Sequence, residues 1–117
     1  MTVMTHQLIN LDYLNSMTDG DAEMKQEMLG MLTAEIPEEI GKLQDAAAAE
    51  DWEEVFQISH KLKTTLAFVG NEDMTTLNKT IEHCARHTVD TAELPPMVAQ
   101  LTAMSLLVVE ELQSIIE

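Results

Sequence analysis

The sequence predicts an all-α domain, an antiparallel up-down four-helix bundle with a short additional N-terminal helix. Three observations carry that expectation. The chain has 117 residues, the size of one ordinary domain, and 45% of them are apolar, enough for one core. Aromatic residues make up only 3%, and Gly and Pro number four and three, so the composition is that of good helix formers and not of a turn-rich β fold. Finally, four long stretches each carry one apolar stripe at helical spacing and are joined by short links, which favours antiparallel neighbours.

The elements follow in order. Residues 1–10 are polar and expected to be loosely held. Asn10 can cap a short helical segment containing Leu11 and Leu14. Thr18-Asp19-Gly20-Asp21 is a break followed by an acidic first turn, a helix-start signal. A helix is expected over about 21–36, with Met24, Met28, Met31 and Glu35 at 4-3-4 spacing and Leu32 widening the stripe. Pro37 marks either the first turn of a new helix or a kink in a long one. Beyond it Ile40, Leu43 and Ala47 keep helical spacing, and the helix ends near Ala49.

Asp51 opens the next helix, with a capping-box-like spacing to Glu54. Val55, Ile58, Leu62, Leu66 and Val69 gather on one side, with Ser59 at the margin, and Gly70 is the C-terminal stop. Residues 71–73 start the stretch that follows, whose stripe is Met74, Leu77, Ile81 and Cys84. Residues 88–94 form a loop, and Pro95-Pro96 open the last helix, which runs to about Ile116. Val98, Leu101, Ser105, Val108, Leu112 and Ile115 lie on one line of it. Met97, Met104 and Leu107 broaden its apolar face, so it is expected to be the most buried helix. The whole chain, 1–117, reads as a single domain, with 1–18 as an N-terminal segment and 19–117 as the bundle.

Charge and cysteine content exclude several function classes. A formal charge of −15 argues against binding a phosphate backbone or an anionic membrane surface, both of which call for Lys and Arg. One cysteine, Cys84, allows no internal disulfide, as in a reducing compartment. The start MTVMTHQLIN lacks a basic region followed by an apolar core, and the apolar runs fall far short of a membrane span. A cytoplasmic protein with no nucleic-acid and no membrane partner is expected.

The candidate site is the polar face of the helix that Asp51 opens. Directly opposite its apolar stripe lie Glu53, His60, Thr64 and Ala67, flanked by Gln57 and Phe56. A neutral imidazole is a good nucleophile. To accept a phosphoryl group from a partner protein it must be exposed, lie near a positive charge, and sit on a surface small or apolar enough for close approach. Lys63 is at i+3 on the same face, and Lys61 adds a cation a little further round. Thr64 and Ala67 are small, and Phe56 lies one turn before the histidine. Two of only six Lys and Arg residues bracket Leu62, a basic spot on an acidic domain that would offset phosphate charge.

Other patterns are weaker. His83 and His87 form an i, i+4 pair around Cys84, a spacing that suggests zinc, but a third ligand is missing and Cys84 falls on the core stripe. No metal site is expected. The sequence has no Gly-rich nucleotide fingerprint and no GxxxxGK[ST], so phosphate is not expected to come from ATP and the chain is not expected to be a kinase.

These residues resemble the histidine-containing phosphotransfer (HPt) domain of multistep two-component phosphorelays. That family's motif is His-x-Leu-Lys-Gly, with a glycine ten positions after the histidine. The sequence here reads His60-Lys61-Leu62-Lys63-Thr64, then Gly70. Pro37, Ile40, Leu43, Ala46 or Ala47, Asp51 and Val55 are also spaced as in that family, and the resemblance covers roughly residues 20–86. Ser59 stands at the family's small residue before the histidine, and Thr64 at its glycine after the lysine.

The resemblance implies that His60 carries the phosphoryl group and Lys63 helps to hold it. Gln57 and Thr64 would be neighbours able to hydrogen-bond the ring or the phosphoryl group. Phe56, Gln57, Lys61, Thr64 and Ala67 would form the docking face. The partners implied are response-regulator receiver domains, which supply the aspartate and Mg²⁺, with a hybrid sensor histidine kinase as a further candidate. This chain itself would bind no cofactor. A free-standing, monomeric carrier is expected. The alternative is a degenerate relative, a helical-bundle module that binds a signalling partner without phosphoryl transfer.

Overall fold

Five α-helices follow one another: α1 (Asp12–Thr18), α2 (Ala22–Ala48), α3 (Trp52–Val69), α4 (Glu72–His87) and α5 (Leu94–Ile115), with a 3-10 turn at Thr91–Glu93 before α5. The computed structural model describes residues 8–116, and no strand occurs among them. The four long helices close a ring in which α2 packs on α3 and α5, and α4 packs on α3 and α5. Links of two or three residues, and one of six between α4 and α5 that holds the 3-10 turn, make successive helices antiparallel. The all-α bundle with its additional short N-terminal helix is therefore the observed architecture.

Local chemistry sets the helix ends. Asp21, Asp51 and Asn71 each accept a hydrogen bond from the backbone N–H three residues on, at Met24, Glu54 and Met74. Asn10 caps as its type suggests, although α1 begins one residue later than it would as N-cap: its Oδ1 accepts from the Asp12 N–H at 2.9 Å. Pro95 and Pro96 lie in the first turn of α5, where a missing N–H costs nothing.

Pro37 begins no new helix. It stands exposed inside the continuous 27-residue α2 and removes one bond from its ladder. At about 1.5 Å per residue α2 is roughly 40 Å long, close to the 42 Å longest extent of the domain.

The core is one cluster drawn from all five helices. Leu14, Leu29, Ile36, Leu43, Val55, Leu62, Val69, Met74, Ile81, Leu94, Leu101, Val108 and Leu112 have no exposed surface. Each such side chain contributes about 1.5–3 kcal/mol of burial. The stripe on the first part of α2 differs from expectation. Leu29, Leu32 and Ile36 carry it, whereas Met24 and Met31 are 44% and 62% exposed. The outward methionines form a second apolar line, one step round the helix, that faces solvent.

Helix α5 is not the most buried helix. Leu106, Leu107 and Ile115 lie outside, and only six of its 22 residues are buried, against seven of 18 in α3. Thr91–Ile115 is nevertheless long and apolar enough to cross a membrane by length and composition, with mean hydropathy 1.4, contrary to the reading of short apolar runs. In the fold, α5 presses Leu94, Val98, Leu101, Val108 and Leu112 into the bundle.

The expectation of loosely held residues 1–10 lies outside the described residues for 1–7 and is corrected for 8–10. The Asn10 N–H donates to Val69 O at 2.8 Å, and Asn71 Nδ2 donates to Leu8 O at 2.9 Å. Leu8, Ile9 and Leu11 pack on the core. Gly70, closing α3 at φ 74°, makes this passage possible: a Cβ there would collide with the Asn10 carbonyl.

Candidate functional site

Helix α3 turns its apolar line inward and so presents the opposite side to solvent. Val55, Ile58, Leu62, Leu66 and Val69 are buried, while Gln57, His60, Lys61, Lys63, Thr64 and Ala67 are exposed. The side chains of His60, Lys61 and Lys63 are 60%, 63% and 48% exposed. Phe56 is half-buried. Its ring centroid lies 5.8 Å from that of His60, and the Arg86 guanidinium covers it at 5.6 Å.

Behind the histidine the helices are locked by polar groups. Ser59 is fully buried. Its Oγ lies 2.7 Å from Asn78 Oδ1 and 3.0 Å from Asn78 O, donating its one proton between them. Asn78 Nδ2 donates back to Ser59 O at 2.9 Å. This reciprocal pair fixes the register of α3 on α4 one residue from His60.

That register brings Glu82 of α4 to the histidine. Its Oε2 lies 2.8 Å from His60 Nδ1, and its Oε1 lies 3.7 Å from Lys63 Nζ. The Glu82 side chain is only 12% exposed. Burial pushes its carboxyl up, but the His60 hydrogen bond and the Lys63 charge outweigh burial and hold it below the usual carboxylate range. An ionised Glu82 accepts only, so Nδ1 of the neutral ring carries the proton. The lone pair then lies on Nε2 of a ring that is 60% exposed, which suits a nucleophile.

Two seams flank the histidine. Along α2 and α3, Lys61 Nζ lies 3.3 Å from Oε2 of the buried Glu39. Further along the same seam Thr64 lines an apolar pocket of about 110 Å³ with Met28, Met31, Leu32 and Phe68. Along α3 and α4, Phe56, Gln57 and Arg86 line a second depression. The basic spot is thus met by carboxylates, Glu82 at Lys63 and Glu39 at Lys61.

A family model described as Hpt domain matches residues 27–115. The chain belongs to the Hpt domain family. The crystal structure of the HPT domain from an Hpt sensor hybrid histidine kinase of Shewanella has a similar fold, with a TM-score of 0.78 over 92% of each chain at 22% identity. Among curated proteins none matches the chain. As a member of the family, the chain is a phosphotransfer module of two-component signalling.

Within this Hpt domain, His60, Lys61, Lys63, Thr64, Phe56, Gln57 and Ala67 are brought onto one surface. Sequence reasoning missed Glu82, Arg86, Glu39 and the Ser59–Asn78 pair. Asn78 had a legible signal, a polar residue in line with Met74 and Ile81. Glu82 and Arg86 had none, because their partners depend on how α4 seats against α3.

Rings of the His83–His87 pair are 4.6 Å apart, but Cys84 points into the core. Burial, with Asp90 and Glu93 nearby, pushes the Cys84 thiol up and keeps it protonated. Among the described residues no group of three or more His, Cys, Asp or Glu could hold a metal ion.

Proposed function

We propose that this Hpt domain is a histidine phosphocarrier in a multistep phosphorelay. It accepts a phosphoryl group on His60 from a receiver-domain aspartate and passes it to another receiver aspartate. The observation that carries the reading is the exposed His60 ring with Nδ1 held by Glu82. Nε2 attacks the phosphorus of the aspartyl phosphate, the N–P bond forms, and the P–O bond breaks with its electron pair going to the departing carboxylate. The Nδ1 proton stays between His60 and Glu82 throughout. Lys63, half-exposed and 3.7 Å from Glu82, is free to turn its ammonium to the phosphoryl oxygens.

Positioning and charge stabilisation carry such a transfer. The receiver supplies the acidic pocket and Mg²⁺, and the carrier needs no nucleotide site of its own. Phe56, Gln57, Lys61, Thr64 and Ala67 form the face on which the receiver docks. A cytoplasmic carrier fits a partner set of receivers and a hybrid kinase.

The test incubates the protein with a phosphorylated receiver domain and Mg²⁺. Label that is acid-labile, alkali-stable and absent in His60→Gln is expected. Binding of receivers without transfer from any of them would reduce the domain to an interaction module.

A further inference from the structure

Glu39 is a glutamate in the wrong place for a solubilising charge. It is 3% exposed, in the middle of α2, in a chain that carries 21 Asp and Glu in all. Removing a carboxylate from water is costly unless it is paired. Its Oε2 is shared by two lysines, Lys61 of α3 at 3.3 Å and Lys42, one turn along α2, at 3.5 Å. Both lysines remain more than half exposed, at 63% and 54%. One buried carboxylate therefore holds two ammonium groups side by side at the surface and leaves the trio with a net positive charge.

The trio forms one side of an open cleft of about 430 Å³ between α2 and α3, and His60 lines the same cleft. Glu54 also borders it. That carboxylate disfavours an acidic guest in its own neighbourhood and leaves the lysine pair as the favourable contact. The Lys42–Lys61 pair is separate from Lys63, whose partner is Glu82.

We propose that the Lys42–Glu39–Lys61 trio is a docking anchor for an acidic segment of the receiver that meets His60. Glu39 acts as the positioning residue. The inference rests on the carrier reading and adds to it a second contact beside the reacting atoms. The partner chemistry follows from charge complementarity: on a domain of net charge −15, a cation pair standing next to the reactive ring favours carboxylates. Contacts of this kind act on encounter and affinity more than on the chemical step, and they weaken with salt.

The experiment uses the full chain and a phosphorylated receiver that labels His60, and follows KM and kcat against NaCl concentration. The variant is Lys42→Met with Glu39→Gln and Lys61→Met, which removes the cation pair without leaving a buried charge unpaired. Circular dichroism checks its fold. A second variant, Lys42→Gln alone, keeps Glu39 paired with Lys61 and serves if the triple variant is unfolded. At low salt the triple variant is expected to raise KM about five- to tenfold and Lys42→Gln about twofold, with kcat retained and the difference vanishing at high salt. An unchanged KM at low salt in a folded variant overturns the anchor while transfer to His60 leaves the carrier reading standing. A fall in kcat at constant KM also overturns it, placing the trio in the chemistry and not in docking. Failure of the unaltered protein to take label from any receiver overturns both readings.

Discussion

Glu82 on α4 holds Nδ1 of His60 on α3 at 2.8 Å, across 22 positions of sequence. One carboxylate thereby selects which ring nitrogen carries the proton and which the lone pair. Removing it by Glu82→Ala takes away a charge-assisted hydrogen bond and the tautomer preference. Single-turnover transfer from a phosphorylated receiver is expected to slow about ten- to a hundredfold. Nitrogen-15 NMR of the ring should show Nδ1–H in the unaltered protein and a tautomer mixture in the variant. Identical ring shifts in both would remove Glu82 from this role.

The same carboxylate makes stability depend on pH. Its folded pKa lies below the ordinary value, so the group adds stability above the unfolded carboxylate pKa of about 4.3 and loses it as pH falls through the lower folded value. Urea titrations of the unaltered protein and Glu82→Gln should differ by about 1 kcal/mol or less at pH 6 and converge in acid. A gap that widens on acidification would contradict the depressed pKa.

Lys63→Ala separates chemistry from folding. The side chain is half-exposed, so the urea midpoint should move by no more than about 0.5 kcal/mol in stability. Transfer is expected to slow about ten- to a hundredfold, the range for losing a group that meets developing charge. A destabilised variant would mean that Lys63 packs as well as pairs.

Asn78→Ala strips the buried side-chain amide from Ser59. The Ser59 carbonyl loses the Nδ2 bond, while the Ser59 hydroxyl keeps the residue 78 carbonyl as acceptor, so a cost of about 1–3 kcal/mol is expected by chemical denaturation. Ser59→Ala, which leaves the Asn78 Nδ2 bond to the residue 59 carbonyl in place, should cost less. Equal losses would show the hydroxyl to be the dominant member.

Glycines in different settings should respond with opposite signs. Gly70→Ala meets the Asn10 carbonyl and forces a side chain into the left-handed region, at a cost of about 2 kcal/mol or more. Gly30 sits inside α2 with no neighbouring atom within 4 Å of an added Cβ, so Gly30→Ala should stabilise by about 0.5–1 kcal/mol. Thermal melts of both variants check the pair.

Much of this was legible from residue order because single-helix properties are local. The phase of α3 followed from Val55, Ile58, Leu62, Leu66 and Val69, and with it the outward direction of His60. Asp51 and Asn71 announced their own caps. The phase of early α2 did not follow, because methionines at 24, 28 and 31 and leucines at 29 and 32 offer two apolar lines one step apart. Only the neighbours in the bundle choose between them. Continuity through Pro37 was equally ambiguous, since one lost bond breaks a helix or is absorbed depending on packing around it. Glu82, Arg86 and Glu39 were silent for a further reason. Each acts across a helix seam, and the rotation of one helix against another is a property of the assembled core.

Helix α5 packs on α2 and α4, while the contacts of His60, Lys61, Lys63 and Phe56 and the depressions beside them are made by residues of α2, α3 and α4 and the turn after α4. Much of the core and the surface around His60 are therefore written on different parts of the molecule. Melting temperature can be raised or lowered through Val98, Leu101, Val108 and Leu112 with the reactive surface left as it is. The outer positions Leu106 and Leu107 offer a handle for tethering or labelling on a helix that makes none of these contacts.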